Sequence, residues 1–284
     1  MSDYSKATVR SEDGTEIGYR QYGAGGPAVI LVHGGMKAAQ HFSRLAAALA
    51  GQFTVYVPDR RGRGMSGPHG DDFGVHREVQ DLRALLEASG ARCVFGLSSG
   101  ALISLRTALV TPQIERLALF EPPLAVEGSA PLGWVPRYER ELDAGKRAAA
   151  LVTAMKGNGT EPVFTRLPRF ALTPVIALGL RAQGGHREDE ASIAELIPTQ
   201  RYDMRIVREL ADTGPDYARL PARVLLLGGT RAPRFLGVAL DELERVLPHA
   251  ERRTLQGLTH EGPEDDGRPL LVAQVLRDFF LAGR

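Results

Sequence analysis

The chain has 284 residues, 43% of them hydrophobic and 24% charged, with 35 Lys and Arg against 34 Asp and Glu. Those values describe a folded domain of ordinary composition and leave no bulk field to attract nucleic acid or an anionic membrane. The single cysteine, Cys93, excludes an intramolecular disulfide. The opening MSDYSKATVRSEDGTEIGYRQYG has no apolar signal-peptide core, and the longest apolar runs are strand-sized, so a cytoplasmic, non-membrane protein is expected.

In chain order, apolar and polar residues alternate from Thr8 to Tyr22 around the turn signal Glu12-Asp13-Gly14, which predicts a hairpin. After a Gly and Pro breaker, Ala28 to Val32 is a continuous apolar run, as in a strand buried on both faces, and it ends in His33-Gly34-Gly35. Helical spacing over Ala39 to Ala50 is followed by a β-rich run from Phe53 to Val57. An amphipathic stretch from Val75 to Ser89 precedes a strand at Cys93 to Phe95. A helix from Ala101 to Val110 and a strand from Leu117 to Phe120 continue the alternation, which predicts a parallel sheet covered by helices.

From Pro122 to about Pro221 the rhythm gives way to helical segments punctuated by Gly and Pro. It resumes with strands at Arg223 to Leu227 and Arg252 to Leu255 and helices at Phe235 to Leu247 and Pro269 to Leu281. The expected division is an α/β core over residues 1–121 and 222–284, interrupted by a helical lid over 122–221. Such an insertion would lie near the sheet's carboxyl edge, where open α/β sheets bind ligands.

Gly96-Leu97-Ser98-Ser99-Gly100 matches G-x-S-x-G between a strand and a helix. A nucleophile there needs a sharp turn, and glycines two before and two after let the neighbouring elements approach. Ser98 still requires a base, since a free hydroxyl is a poor nucleophile. His260, in the loop Gly257 to Gly262 before the last helix, is the best placed. His33 is read as a loop organiser, and His41, His69, His76, His186 and His249 as solvated. Backbone N–H groups of Gly35 or Met36 and of Ser99 are candidate donors to an oxyanion. The acid is the least marked member, because Gly228 to Pro233 holds no carboxylate. Glu121, just beyond a buried strand and fixed by Pro122 and Pro123, is the candidate, the alternative being an ion pair with Arg60 or Arg61. Asp241 and Glu242 fit a solvated helix face. Asp59 to Gly67 is not a phosphate-loop motif and reads as a structural loop braced by Asp59 and its arginines. No metal site has ligand spacing.

Together these segments resemble the α/β-hydrolase superfamily over nearly the whole chain. They are similar to the bacterial branch of esterases, polyketide-tailoring methylesterases, cofactor-free haloperoxidases and C–C bond hydrolases. The resemblance implies an α/β-hydrolase fold, a mostly parallel sheet of about eight strands with the lid after the sixth, and the order Ser, acid, His. It carries the nucleophile to Ser98, the base to His260, oxyanion donors to Gly35 and Ser99, and the acid to Glu121. This departs from most of the superfamily, which has Asp in the loop occupied here by Gly228 to Pro233. Certain haloalkane dehalogenases do place Glu after the strand that follows the elbow helix, but they use an aspartate nucleophile.

The expected activity is hydrolysis of an ester, thioester, lactone or activated C–C bond in a medium-sized apolar small molecule, with no cofactor, by a monomer or homodimer. Trp134, Tyr138, Phe164 and Phe170 are the candidate substrate-binding residues. A non-hydrolytic cyclase or lyase, motivated by the missing carboxylate after Leu227, and a non-catalytic ligand receptor are the competing classes.

Overall fold

The computed structural model describes residues 4–159, 167–182 and 187–283. Eight strands form one sheet: β1 (Ser5–Arg10), β2 (Glu16–Tyr22), β3 (Ala28–Val32), β4 (Thr54–Pro58), β5 (Cys93–Leu97), β6 (Arg116–Phe120), β7 (Arg223–Gly229) and β8 (Ala250–Leu255), in the order β1-β2-β4-β3-β5-β6-β7-β8. The hairpin β1–β2 joins antiparallel at one edge, and every pairing from β4 to β8 is parallel. All parallel strands therefore end on one edge, and that edge collects the residues at their carboxyl ends.

The continuous apolar runs have the burial expected of two-faced strands. Ile30, Val32 and Val94 face one core, with Leu82, Leu102 and Leu243 from the covering helices. Val29, Leu31, Cys93 and Phe95 face the other, with Leu45, Leu276 and Phe280. Helices α1 (Ser43–Leu49), α2 (Val75–Ser89) and α3 (Ser99–Val110) connect the first strands. Between β6 and β7 the chain forms α4 (Val135–Asp143), α5 (Arg147–Asn158), α6 (Arg169–Ala182) and α7 (Gln200–Glu209). The core then resumes with α8 (Arg234–Val246) and α9 (Pro269–Leu281). The mostly parallel sheet with flanking helices is the fold expected from the alternation, and its eight strands match the number the resemblance implies.

Ala39 to Ala50 differs from its expected single helix: a 3-10 turn at Ala39–Phe42 precedes α1. Two amides at its start are held by side chains, Ala38 N–H by His41 Nδ1 from within the turn at 3.1 Å and Ala39 N–H by the Asp59 carboxylate from the loop after β4 at 2.7 Å.

At the crossing of β3, β5 and α3 only glycine fits at position 100. A Cβ there would lie 2.4 Å from the His33 carbonyl oxygen and 2.5 Å from that of Val32. Those oxygens belong to the end of β3 and cannot retreat without disturbing its ladder to β5. Gly100→Ala is therefore expected to lower unfolding free energy by about 3 kcal/mol. Gly237→Ala, in α8 with nothing near the added methyl, should instead be neutral or stabilising by up to about 1 kcal/mol. Urea denaturation of the two variants checks this contrast, and equal effects would contradict it.

Candidate active site

The strand exits assemble the site. Ser98, between β5 and α3, has φ 55° and ψ −126°, a left-handed conformation rare for a side chain with a Cβ. Its amide donates to the Phe120 carbonyl at 2.9 Å, and its own carbonyl accepts from Ala101 and Leu102, so the turn is held from both sides. The hydroxyl is thereby lifted off the sheet edge at the N-terminus of α3. The loop after β3 runs alongside: a Cβ on Gly34 would lie 3.0 Å from that of Ser98.

Glu121 follows β6 and is fully buried, again with positive φ, 47°. Its amide still donates to Leu227 in β7 at 3.0 Å while the left-handed turn redirects its side chain along the sheet edge. One carboxylate oxygen accepts the Gly229 N–H at 2.6 Å, and the other lies 2.6 Å from His260 Nδ1. The alternative partners are engaged elsewhere: Arg60 with Glu78 and Asp203, and Arg61 with Asp81 and Asp13. With Nδ1–H donated to this carboxylate, Nε2 is the ring nitrogen left to accept.

The His260 loop is fixed by several contacts. Buried Leu258 accepts from Arg231 N–H at 3.0 Å, and the close approach of Leu258 to Gly229 leaves no room for a Cβ at 229. Further on, Lys37 Nζ meets Glu264 at 2.5 Å and Glu261 at 3.5 Å, tying this loop to the one after β3. Burial pushes the Glu264 carboxyl upward, and the Lys37 ammonium works against that shift.

A cavity of about 110 Å³ opens over these residues. Gly34, Gly35, Met36, Ser98 and His260 line it. Its walls are largely apolar, from Pro123, Leu132, Met204, Val207, Phe235 and Leu236, with Lys37, Glu261 and Glu264 at one side. Ser99, next to Ser98, is buried.

Of the aromatic residues expected to line the cavity, the described ones, Trp134, Tyr138 and Phe170, are not among the residues that line it. Tyr138 is fully buried and donates its hydroxyl to the Ile197 carbonyl, and Trp134 packs against it edge-on. Both serve the packing of the insertion itself. Phe170 is 82% exposed on α6, and Phe164 is outside the described residues. Among the other histidines, His33 is buried: Nε2 accepts the Arg60 amide at 3.2 Å, so Nδ1 carries the proton and donates to the Gly34 carbonyl at 3.0 Å. Burial, then Arg63 and Arg60, hold its pKa well below the usual histidine value. His69, expected in solvent, is buried beneath Tyr202, its ring stacked at 3.5 Å between centroids, because α7 covers it. His186 is outside the described residues.

Asp203 on α7 was not among the candidates. It is fully buried and binds two arginines of the loop after β4, Arg60 at 2.8 Å and Arg63 at 2.6 Å, while Arg60 also pairs with buried Glu78 at 2.7 Å. Its signal in the sequence is polar residues on an apolar helix face: Gln200 and Asp203 share the buried side of α7 with Met204 and Val207. Burial alone would raise the Asp203 pKa; Arg63, Arg60 and the Ser99 hydroxyl outweigh it and hold the carboxyl well below its usual range. Among the described residues, no group of three or more His, Cys, Asp or Glu could hold a metal ion, and no helix is long and apolar enough to cross a membrane.

A model described as the alpha/beta hydrolase family matches residues 29–275, and the chain belongs to that family. It is similar to the solved structure of an alpha/beta hydrolase from Sphaerobacter thermophilus, 31% identical with TM-score 0.76, over 96% of this chain and 100% of that one. An esterase from Rhodococcus sp. has the same fold at 21% identity and TM-score 0.70, over 99% of each chain. N-formylmaleamate deformylase of Pseudomonas putida is 35% identical over 132 residues, 45% of this chain and 49% of that protein. The chain thus matches about half or less of the length of the curated relatives.

Because the folded-state pKa of Asp203 is depressed, its stabilisation is fully present above the unfolded value of about 4 and is lost as pH falls through the folded value. Asp203→Asn, which leaves two buried guanidiniums short of a counter-charge, is expected to cost about 3–5 kcal/mol near neutral pH. The gap to the unsubstituted protein should narrow below about pH 4. Urea denaturation from about pH 7 to pH 3 measures it, and a gap independent of pH would refute this account.

Proposed function

We propose that the protein is a serine hydrolase that cleaves an ester, thioester, lactone or activated C–C bond of a medium-sized, largely apolar small molecule through an acyl-enzyme on Ser98. The observation that carries this reading is the 2.6 Å contact between Glu121 and His260 Nδ1, with His260 and Ser98 in the same cavity.

In this mechanism Ser98 Oγ attacks the substrate carbonyl as His260 Nε2 takes its proton. Glu121 holds the ring in the Nδ1–H tautomer and stabilises the imidazolium. The tetrahedral oxyanion is received by backbone N–H groups of Gly35 and Ser99, with Met36 the neighbouring alternative, and each donor contributes about 3 kcal/mol. Collapse expels the leaving group, which takes the proton back from His260. Water then repeats the sequence on the acyl-enzyme, releasing the acid and restoring Ser98.

The apolar walls support a substrate chosen by hydrophobic contact. The names of two relatives, an esterase and a deformylase, belong to acyl-transfer chemistry, which agrees with the reading. The loop after β7 lacks a carboxylate, which is the motive for a non-hydrolytic reading; the contacts of Glu121 with Gly229 N–H and His260 Nδ1 support the hydrolytic one instead.

Ser98→Ala is expected to abolish fluorophosphonate labelling and to lower kcat on p-nitrophenyl butyrate by about 10⁴-fold or more, and Glu121→Gln by about 10³- to 10⁴-fold with the fold intact. In ¹⁸O-water the released acid should carry solvent oxygen. Turnover of every accepted ester surviving Ser98→Ala would refute the mechanism.

A further inference from the structure

We propose that Asp203, carried by the segment inserted between β6 and β7, is a positioning residue for the oxyanion hole, setting the placement of both donor loops. This rests on the reading of Ser98 as the nucleophile. Asp203 Oδ1 accepts the hydroxyl of Ser99 at 2.8 Å and Arg60 Nη1 at 2.8 Å, and that same Arg60 nitrogen donates to Ser99 Oγ at 2.9 Å. The three groups form a closed triangle in which the Ser99 hydroxyl donates once and accepts once, which leaves it no alternative rotamer at equal energy. Ser99 is the first residue of α3, so this tether fixes the peptide whose N–H is one oxyanion donor.

The other donor loop is reached from the second oxygen. Oδ2 accepts Arg63 Nη2 at 2.6 Å, and Arg63 Nη1 lies 3.4 Å from the Gly34 carbonyl oxygen, which also receives His33 Nδ1–H at 3.0 Å. Both contacts draw the Gly34 carbonyl toward buried donors, and the N–H of Gly35 belongs to that same peptide. Being trans to its carbonyl, that N–H is turned the other way, toward the cavity that Gly35 lines. Helix α7 also rests directly on Gly35. A Cβ there would lie 2.7 Å from Gln200 Oε1 and 3.2 Å from the Asp203 carboxylate, so this loop is clamped from above as well as below.

One buried carboxylate on α7 therefore braces Ser99 and the Gly34–Gly35 peptide together. A substrate carbonyl needs both N–H groups at the place its oxyanion will occupy, and a small displacement of either weakens transition-state stabilisation more than ground-state binding. The consequence for the insertion is that α7 belongs to the fixed part of the site.

The test uses Ser99→Ala, which keeps the N–H at position 99 and removes the tether, together with Asp203→Asn. Each should lower kcat on p-nitrophenyl butyrate about 10- to 100-fold with KM within about twofold, and should weaken an aryl trifluoromethyl ketone, which forms an oxyanion on the nucleophile, by a similar factor. A structural role alone would lower the folded fraction without moving kcat per labelled Ser98 or the ketone's affinity. If Asp203→Asn fails to fold, Ser99→Ala carries the test alone. Folded variants that retain kcat and ketone affinity, or whose loss falls on KM, overturn the proposal. Ser98→Ala separates the two levels: if it is inactive while Ser99→Ala and Asp203→Asn retain kcat, only this inference fails, and if it is active the nucleophile assignment fails and the proposal with it.

Discussion

A carboxylate taken wholly out of water has to be compensated where it stands, and the geometry of the candidate site follows from how Glu121 meets that demand. Its two oxygens face two strand exits, the Gly229 amide at the end of β7 and the imidazole of His260 in the loop after β8. Both contacts are made from a backbone with φ 47° at position 121. The chain accepts a left-handed residue there, a cost of order 1–3 kcal/mol, and the two hydrogen bonds and the ladder contact to Leu227 hold it in place. Ser98 carries the same kind of strain one strand away. Two non-glycine residues with positive φ at the ends of adjacent strands place Ser98 and Glu121 on the same sheet edge, with the His260 loop supplied from the far side.

The four-charge cluster of Arg60, Arg63, Glu78 and Asp203 obeys the same constraint on a larger scale. All four side chains are buried, and the two positive and two negative charges balance. Such a cluster contributes little net stability compared with a well-packed apolar alternative, since desolvation consumes most of the Coulomb gain. What it does supply is direction. A guanidinium has a fixed fork, and Arg60 divides its donors between Glu78 on α2, Asp203 on α7 and Ser99 on α3, which fixes these elements relative to one another with little slack. Hydrophobic packing between the same helices would have allowed sliding.

The sheet and its order of elements were legible because two-faced burial writes itself as continuous apolar runs and the crossover helices as amphipathic ones. Ser98 was legible because its elbow demands glycine on both sides. Glu121 was identifiable from its place after β6 and the prolines behind it, although the loop after β7 offered no companion signal. The substrate wall was not legible. Trp134 and Tyr138 look like cavity aromatics by composition, but large rings are also what a small helical insertion needs for its own core, and they are used there. The residues that do line the cavity, Pro123, Leu132, Met204 and Val207, carry no pattern that separates them from ordinary apolar surface. Arg60 and Arg63 were read as bracing their own loop, whereas their partners lie 18 to 143 positions away in sequence, a distance no local pattern encodes.

Helix α7 joins these themes, since its buried side meets two surroundings at once. Asp203 reaches the arginines and Ser99 beneath the site, while Met204 and Val207, one and four residues on, line the cavity. A change in wall shape that shifts this helix must also pull on the carboxylate that holds Ser99, because one turn of backbone carries both. Under the proposed mechanism, substrate fit and oxyanion geometry are in this way mechanically linked. A substrate that packs well against Met204 and Val207 leaves the donors where the reaction needs them, and one that pushes the helix outward displaces them. Selectivity among acyl groups in such a site would be expressed in kcat as much as in KM, since the misfit is felt at the transition state.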